Sequence, residues 1–268
     1  MLLGLFAVLP AGVAQPATPF ANPGPIVQQL KSIPGAYYHL LQGSDGFMWI
    51  GSNKGLLRFD GVEMKAFRHD PDNDNSLSHD FISGMVEDDA GMLWIVTYGG
   101  GLNRFDKSTF EFTHFKHHSN SPDSISSDRL FAIAKANDNK LWLGANPGIN
   151  LFDIKTGLSQ AKNAALQPLK ADNNQRVMTL FEDSKQRLWY TVAGQGLFVY
   201  DSQVDAKEQS VRHFEHDSND ANSIDANVIK RVYETSQGDI WIATGNGMNR
   251  FDFSNNSFDH FTLPLKAQ

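Results

Sequence analysis

Short runs of apolar, β-branched and aromatic residues alternate with polar turn sequences along most of the chain. Between residues 82 and 115, for example, the runs ISGMVED, LWIVTY, LNRF and FEFTHF follow one another, separated by Gly, Asp and Ser. Runs of this length and composition, bounded by turn-forming residues, are typical of β-strands. No stretch shows the sustained 3.6-residue period of a long amphipathic helix. The pattern predicts an all-β protein.

The same group of runs recurs five times, and each copy contains one tryptophan. Successive tryptophans are 45, 48, 47 and 52 residues apart, and each is followed six or seven residues later by a glycine. The tryptophans are Trp49, Trp94, Trp142, Trp189 and Trp241, and the glycines are Gly55, Gly101, Gly148, Gly196 and Gly247. Matched positions in repeats usually serve the packing of one repeat on the next, so we interpret the tryptophans as structural.

Four short antiparallel strands at this period are typical of one blade of a β-propeller. The sequence Asp88–Gly91, between the first two strands of the second copy, has the residues that a hairpin turn favours. We place the repeats at about 35–76, 77–124, 125–172, 173–223 and 224–262, within a propeller region 35–268 that follows a lead-in at 15–34. The sequence therefore predicts a β-propeller with five four-stranded antiparallel blades.

Composition narrows the function classes. The formal net charge is −7 and there is no basic cluster, so binding to nucleic acid, which needs Lys and Arg against phosphates, is not expected. The chain has no cysteine, which excludes disulfides, thiolate catalysis and cysteine-ligated zinc.

The first residues form a separate segment. Leu2–Ala14 is an apolar run of 13 residues, too short to span a bilayer as a helix, and it ends in Gly12-Val13-Ala14. The run and its small-residue end resemble a secretory signal, although no Lys or Arg precedes it. We interpret residues 1–14 as a signal peptide; a buried N-terminal segment is the alternative.

Three strings of the first copy resemble the two-component regulator propeller repeat. They are DGFMWIG at Asp45–Gly51, GLLRFDG at Gly55–Gly61 and the linker FRHDPDNDNSLS at Phe67–Ser78. The resemblance covers about residues 35–262. The third and fourth copies depart most, with a weaker pattern at Gln160–Gln175 and an extended turn at Gln203–Gln209.

The resemblance implies the periplasmic sensor region of a bacterial inner-membrane signalling protein. A histidine kinase or diguanylate cyclase output domain would then follow a transmembrane helix further along, so the membrane would be reached only through that segment. Relatives in this family often have two seven-bladed propellers, so five copies would be an arc of a larger propeller and the chain an N-terminal fragment. The full-length protein would be a candidate homodimer.

One face of the predicted propeller is the candidate binding surface. Because strands alternate in direction, the loop between the second and third strands shares a face with the linkers between blades. Loops on a rigid scaffold are where recognition residues concentrate. We predict that a small-molecule or glycan ligand binds there, near Asn53, Lys54, Tyr98, Asn146, Gln195 and Asn246.

Three other motifs are interpreted as structural. Tyr98–Gly101 is rich in glycine but lacks the Lys and Ser/Thr of a phosphate-binding loop, so it is interpreted as a turn. Asp70, Asp72 and Asp74 have calcium-loop spacing, but Asn75 and Phe81 stand where such a loop needs Gly and Glu. The nine histidines largely recur in register, whereas a catalytic site should break the repeat.

No catalytic residue, metal site or cofactor is therefore expected, and the chain itself is predicted not to be an enzyme. Two alternatives remain open at this point. One is a propeller enzyme of the lyase type, and the other is a scaffold that binds another protein.

Overall fold

Twenty β-strands make up the secondary structure of the residues that the computed structural model describes, which are 35–161, 166, 175–201, 203–204 and 210–261. They form five four-stranded antiparallel sheets, in each of which strand order follows the chain. Each sheet lies within one of the five intervals assigned to the repeats. The predicted all-β propeller architecture of five four-stranded blades is confirmed. The proposed signal peptide lies outside the described residues.

The strands are numbered in chain order. Blade 1 contains β1 (Tyr37–Gln42), β2 (Met48–Ser52), β3 (Gly55–Phe59) and β4 (Met64–Phe67). Blade 2 contains β5 (Ile82–Glu87), β6 (Leu93–Thr97), β7 (Gly101–Asp106) and β8 (Glu111–Phe115). Blade 3 contains β9 (Leu130–Ala136), β10 (Lys140–Ala145), β11 (Ile149–Asp153) and β12 (Ser159–Ala161). Blade 4 contains β13 (Val177–Glu182), β14 (Arg187–Val192), β15 (Leu197–Asp201) and β16 (Val211–Phe214). Blade 5 contains β17 (Ile229–Glu234), β18 (Ile240–Thr244), β19 (Met248–Asp252) and β20 (Ser257–Phe261).

The first strand of each blade, here called the inner strand, packs against the inner strand of the next blade, from β1 through to β17. The cores lie between the blades. Trp49 packs among Leu77, Ile82 and Phe105 of the next repeat, and Trp94 packs among residues of blade 3 that include Phe152. Trp142 and Trp189 lie in equivalent clusters with blades 4 and 5. The tryptophans of blades 1 to 4 are buried, so each unit completes its core with side chains of the following unit.

A polar bridge accompanies the indole at all four junctions between consecutive blades. The side chain of the last or penultimate residue of an inner strand forms a hydrogen bond with the first turn of the preceding blade, which joins that blade's first and second strands. Glu87 accepts the backbone N–H of Ser44 at 2.9 Å, and blade 3 reverses the charge, with Lys135 Nζ 2.5 Å from Asp89 Oδ1. The other two bridges are Glu182 to the N–H of Asn137 at 3.0 Å and Glu234 to the N–H of Ser184 at 2.7 Å. The bridge is thus kept although its residues vary.

The recurring glycine is required by a close approach between strands. A Cβ atom added to Gly101 would lie 2.5 Å from the carbonyl oxygen of Phe115, and one added to Gly196 would lie 2.3 Å from that of Phe214. Both glycines also have positive φ, 75° and 77°, which L side chains rarely adopt. The glycine-rich loop at Tyr98–Gly101 is therefore a tight turn of the blade.

Blade 5 has no following blade among the described residues. Trp241 is accordingly only half-buried, whereas Trp94 is 0% exposed. Tyr233 and Val228 of the same blade are 63% and 53% exposed. Trp94 and Trp241 therefore form a matched pair, since they occupy the same repeat position with and without a covering blade.

We expect Trp94→Ala to lower the free energy of unfolding by about 3–5 kcal/mol, the usual cost of deleting a buried large aromatic side chain. Trp94 also donates its indole N–H to Asp88 at 2.7 Å, and the substitution removes that bond. Trp241→Ala serves as the control and should cost clearly less. Urea unfolding followed by circular dichroism measures both, and equal losses would contradict the assignment of the indole to inter-blade packing.

Candidate functional site

The loops between the second and third strands lie against the linkers between blades. The N–H of Gly55 donates to the carbonyl of Asp80 at 2.9 Å, and the N–H of Gly101 donates to the carbonyl of Asp128 at 3.0 Å. In blade 5, the N–H of Gly245 donates to the carbonyl of Val228, the residue before the inner strand of the same blade, at 2.9 Å. These loops and linkers thus share one surface, called here the linker face, as the alternation of strand direction predicts.

Three linkers, residues 68–80, 116–128 and 215–227, repeat one set of internal hydrogen bonds. In each, a histidine Nδ1–H donates to a backbone carbonyl eight residues later at 2.8 Å. The backbone N–H of the same histidine donates to the side-chain oxygen of the last residue of the linker, at 2.7 Å in all three linkers. The histidine pairs are His69 with Leu77, His117 with Ile125 and His216 with Ile224. These histidines hold linker backbone in place.

The fourth-strand histidines also bind backbone. The Nε2–H of His114 donates to the carbonyl of Ser76 at 2.7 Å, and His260 binds Ser223 in the same way at 2.6 Å. The carboxylate of Asp70 accepts the N–H of Asp72 at 3.1 Å within the linker turn. Within the described ranges, no group of three or more His, Asp or Glu side chains is arranged to hold a metal ion.

The six predicted binding residues all lie in the loops of the linker face, but their environments differ. Lys54, Tyr98 and Asn246 are exposed, and Asn146 is half-buried. Asn53 Oδ1 accepts the N–H of Ala36 at 3.0 Å, and Asn246 Nδ2 donates to the carbonyl of Asp225 at 2.9 Å. Gln195 is 3% exposed. The predicted role of these residues in ligand binding stays a prediction, and Tyr98 is the one with a large exposed ring.

Blade 4 departs from the repeat around Gln195. In blades 2, 3 and 5 a buried asparagine on the third strand accepts a linker N–H, as Asn103 does from Ser78 at 2.9 Å. Phe198 occupies that position in blade 4 and stacks on His213 with a centroid distance of 4.1 Å. His213 then donates to the carbonyl of Gln195 at 2.6 Å, while the Gln195 side-chain amide has no hydrogen-bond partner among the residues that the structure describes. An aromatic stack has replaced the polar link here.

Tyr98 belongs to a row of aromatic rings that spans three blades, and sequence reasoning identified none of the other members. Tyr38 stacks on Phe81 at a centroid distance of 5.2 Å, Phe81 lies 5.8 Å from Tyr98, and Tyr98 lies 5.4 Å from Phe131. Arg129 lies 5.8 Å from the Tyr98 ring centre, and Arg176 lies 5.9 Å from that of Phe131. We call these six side chains the aromatic–arginine surface. Apart from Tyr98, which lies in the loop after β6, their common signal in the sequence is a position at the start of an inner strand.

His39 and Arg231 connect the first and last described blades. Arg231 on β17 places a guanidinium nitrogen 3.3 Å from Nδ1 of His39 on β1. Burial and, secondarily, the positive charge of Arg231 lower the pKa of His39 from 6.5 to about 4. The imidazole is therefore neutral in the folded protein at neutral pH.

A cleft of about 370 Å³ lies on the opposite face, among the first turns of blades 2, 3 and 4. Its carboxylates already hold indole groups. Asp88 accepts the N–H of Trp94 at 2.7 Å, Glu182 that of Trp142 at 2.5 Å, and Asp183 that of Trp189 at 2.8 Å. The acidic lining of this cleft is therefore part of the packing of the blades.

Two segments of the chain, residues 76–99 and 223–246, match the family model described as two component regulator propeller. Each match runs from the end of a linker through the inner and second strands into the loop that follows. The chain carries two component regulator propeller repeats. The resemblance inferred from the sequence strings of the first copy is confirmed in the second and fifth copies.

The chain is also similar to parts of larger proteins. Histidine kinase P4 of Formosa agariphila is 29% identical over 217 residues, which are 78% of this chain and 15% of the kinase. The extracellular domain of a protein described as a hybrid two component system from Bacteroides thetaiotaomicron shares the fold, with a TM-score of 0.73 and 22% identity over 87% of this chain and 31% of that chain. The chain thus spans less than a third of either relative.

The fold is shared with an enzyme as well. A catalytically inactive virginiamycin B lyase from Staphylococcus aureus, solved with quinupristin, gives a TM-score of 0.63 at 16% identity and covers 89% of this chain and 73% of the lyase. In the part of the chain that the structure describes, no helix has the length and apolar character needed to cross a membrane.

We expect the stability of the protein to fall as the pH is lowered from about 6.5 to about 4, through the window set by His39. Over that window the unfolded chain binds a proton at His39 that the folded chain excludes, so acid favours unfolding. His39→Gln removes this contribution and should flatten the pH dependence relative to the unmodified chain. Denaturant unfolding at several pH values measures the difference.

A second substitution tests the contribution of Arg231 to the lowered pKa of His39. Arg231→Gln should raise the pKa of His39 toward its ordinary value, because one of the two causes of the shift is lost. An NMR titration of the His39 imidazole measures this directly. A His39 pKa near 6.5 in the unmodified chain would contradict the burial of this group.

Proposed function

We propose that this chain is the ligand-sensing, extracytoplasmic part of a bacterial membrane-bound signal-transduction protein. The observation that carries the proposal is the match of two repeats to the two component regulator propeller model, together with a relative that is a histidine kinase. The similarity in fold to the extracellular domain of a hybrid two component system supports an extracytoplasmic location. The output domain, a histidine kinase or a diguanylate cyclase, would lie in another part of the full protein.

The propeller itself is proposed to bind a ligand without converting it. The six recurrent histidines, which are the most obvious candidates for acid–base chemistry, all bind backbone carbonyl groups. A general base must instead be free to reach the proton that it abstracts. The lyase alternative rests on fold alone, and turnover of a substrate by the purified chain would establish it.

Export is tested by fusing alkaline phosphatase to the C-terminus of residues 1–268. The phosphatase needs disulfides, which form in the periplasm and not in the cytosol. We expect an active fusion in bacterial cells and an inactive one when residues 1–14 are deleted. Equal activity of a cytosolic reporter, β-galactosidase, fused at the same position would contradict an extracytoplasmic location.

Sensing is tested in the full-length protein in membrane vesicles. Output is followed as phosphate incorporation from ATP or as formation of cyclic di-GMP, in the presence of a panel of sugars and organic acids. We expect at least one compound to change the output, and deletion of residues 37–261 to abolish the change. An unaltered response in the deletion variant would place sensing elsewhere in the protein.

A further inference from the structure

The inner strands of all five blades begin with the same irregularity. Each has a break in register around its second residue, so that this residue bulges out of the pairing with the second strand. β-Bulges commonly re-aim a side chain next to a functional site. The bulged residues are Tyr38, Ser83, Phe131, Met178 and Lys230, and the residues just before the strands are Ala36, Phe81, Arg129, Arg176 and Val228.

These ten positions vary from blade to blade on a constant backbone. The carbonyl of the residue before the strand accepts an N–H from the neighbouring loop in blades 1, 2, 4 and 5, which shows that the backbone is equivalent. The tryptophan and glycine positions keep one residue type throughout, whereas these positions hold aromatic, aliphatic and basic side chains. Variation on a rigid frame is the pattern of a recognition surface.

The charge at these positions differs from that of the whole chain. None of the ten is Asp or Glu and three are Lys or Arg, in a chain whose net charge is −7. The carboxylates that directly precede Phe81 and Arg129 are already engaged, since Asp80 and Asp128 each accept a linker N–H at 2.7 Å. Arg129 is exposed and its guanidinium makes no ion pair with any described residue.

Five side chains of the aromatic–arginine surface occupy these positions, and the sixth, Tyr98, lies in the loop whose backbone binds Phe81. The surface combines two kinds of contact. Tyr38 and Tyr98 are 47% and 40% exposed, so their rings offer apolar faces to a ligand at the linker face. The guanidinium groups of Arg129 and Arg176 lie at the Tyr98 and Phe131 end of the row. Aromatic faces stack on flat rings, and guanidinium binds carboxylate or sulfate with paired hydrogen bonds.

We propose that the aromatic–arginine surface binds an organic anion, with its carboxylate or sulfate beside Arg129 and a ring of the ligand stacked on Tyr98. This inference deepens the proposed sensing function by naming the site and the ligand chemistry. The shared chemistry is an anionic group on a ring that has an apolar face, and it occurs both in acidic sugars and in aromatic acids.

The test measures binding to the purified chain by titration calorimetry with two probes, trigalacturonate for acidic sugars and 4-hydroxybenzoate for aromatic acids. The methyl ester of each probe is the uncharged control. We expect at least one acid to bind, its ester to bind at least about tenfold more weakly, and the affinity to fall as salt is raised. Which acid binds identifies the source of the anion.

Variants assign the binding to this surface. Arg129→Gln should weaken binding of the acid by about tenfold or more, the expected loss of a charged hydrogen bond. Lys185→Gln removes the same charge from an exposed turn on the opposite face and should leave affinity unchanged. Tyr98→Ala should weaken binding, while Tyr98→Phe, which keeps the ring, should restore it.

Three results would overturn the proposal: no binding of either acid at millimolar concentration, equal binding of acid and ester, or equal effects of Arg129→Gln and Lys185→Gln. Thermal unfolding of each variant shows that the fold is kept. Because the assay uses the isolated chain, its failure leaves export and signalling untouched, and a failure of export or signalling leaves the binding result standing.

Discussion

The structure depends on the packing of each blade's indole against the blade that follows. A four-stranded sheet of this size has two faces and cannot bury either by itself, so each blade needs a neighbour. Trp49, Trp94, Trp142 and Trp189 meet that need in the same way at four junctions. The carboxylates of Asp88, Glu182 and Asp183 hold the indole N–H groups, which lets a polar atom enter these cores at no loss of hydrogen bonding.

The other recurrent residues meet local needs of the backbone within this arrangement of blades. The glycine after the second strand makes room for a carbonyl oxygen, and the linker histidines tie down backbone that the sheets leave unpaired. Residues that serve the scaffold therefore recur, and residues free of it vary. Ser83, Phe131 and Lys230 share one backbone position and have no side-chain chemistry in common, which is why that position is informative about binding.

Much of the scaffold could be predicted from the sequence, because five copies of one pattern reinforce one another. The blade number, the strand order and the side of the loop around Tyr98 all follow from the repeat. The partners of Tyr98 could not be predicted, since Tyr38, Phe81 and Phe131 are far apart in sequence and meet only through the packing of inner strands. The burial of Gln195 could not be predicted either, because a polar loop residue is expected to be exposed. In the structure Gln195 is buried, beside the stacked rings of Phe198 and His213 that are particular to blade 4.

The claim that a following blade stabilises each indole is tested most directly by native-state hydrogen exchange, read by mass spectrometry. Exchange reports the free energy of local opening, strand by strand. The account predicts that amides of β6, β10 and β14, whose tryptophans are covered, exchange more slowly than those of β18, whose Trp241 is half-covered. Equal protection of β18 and β6 would contradict it, because the blades would then be stable without their neighbours.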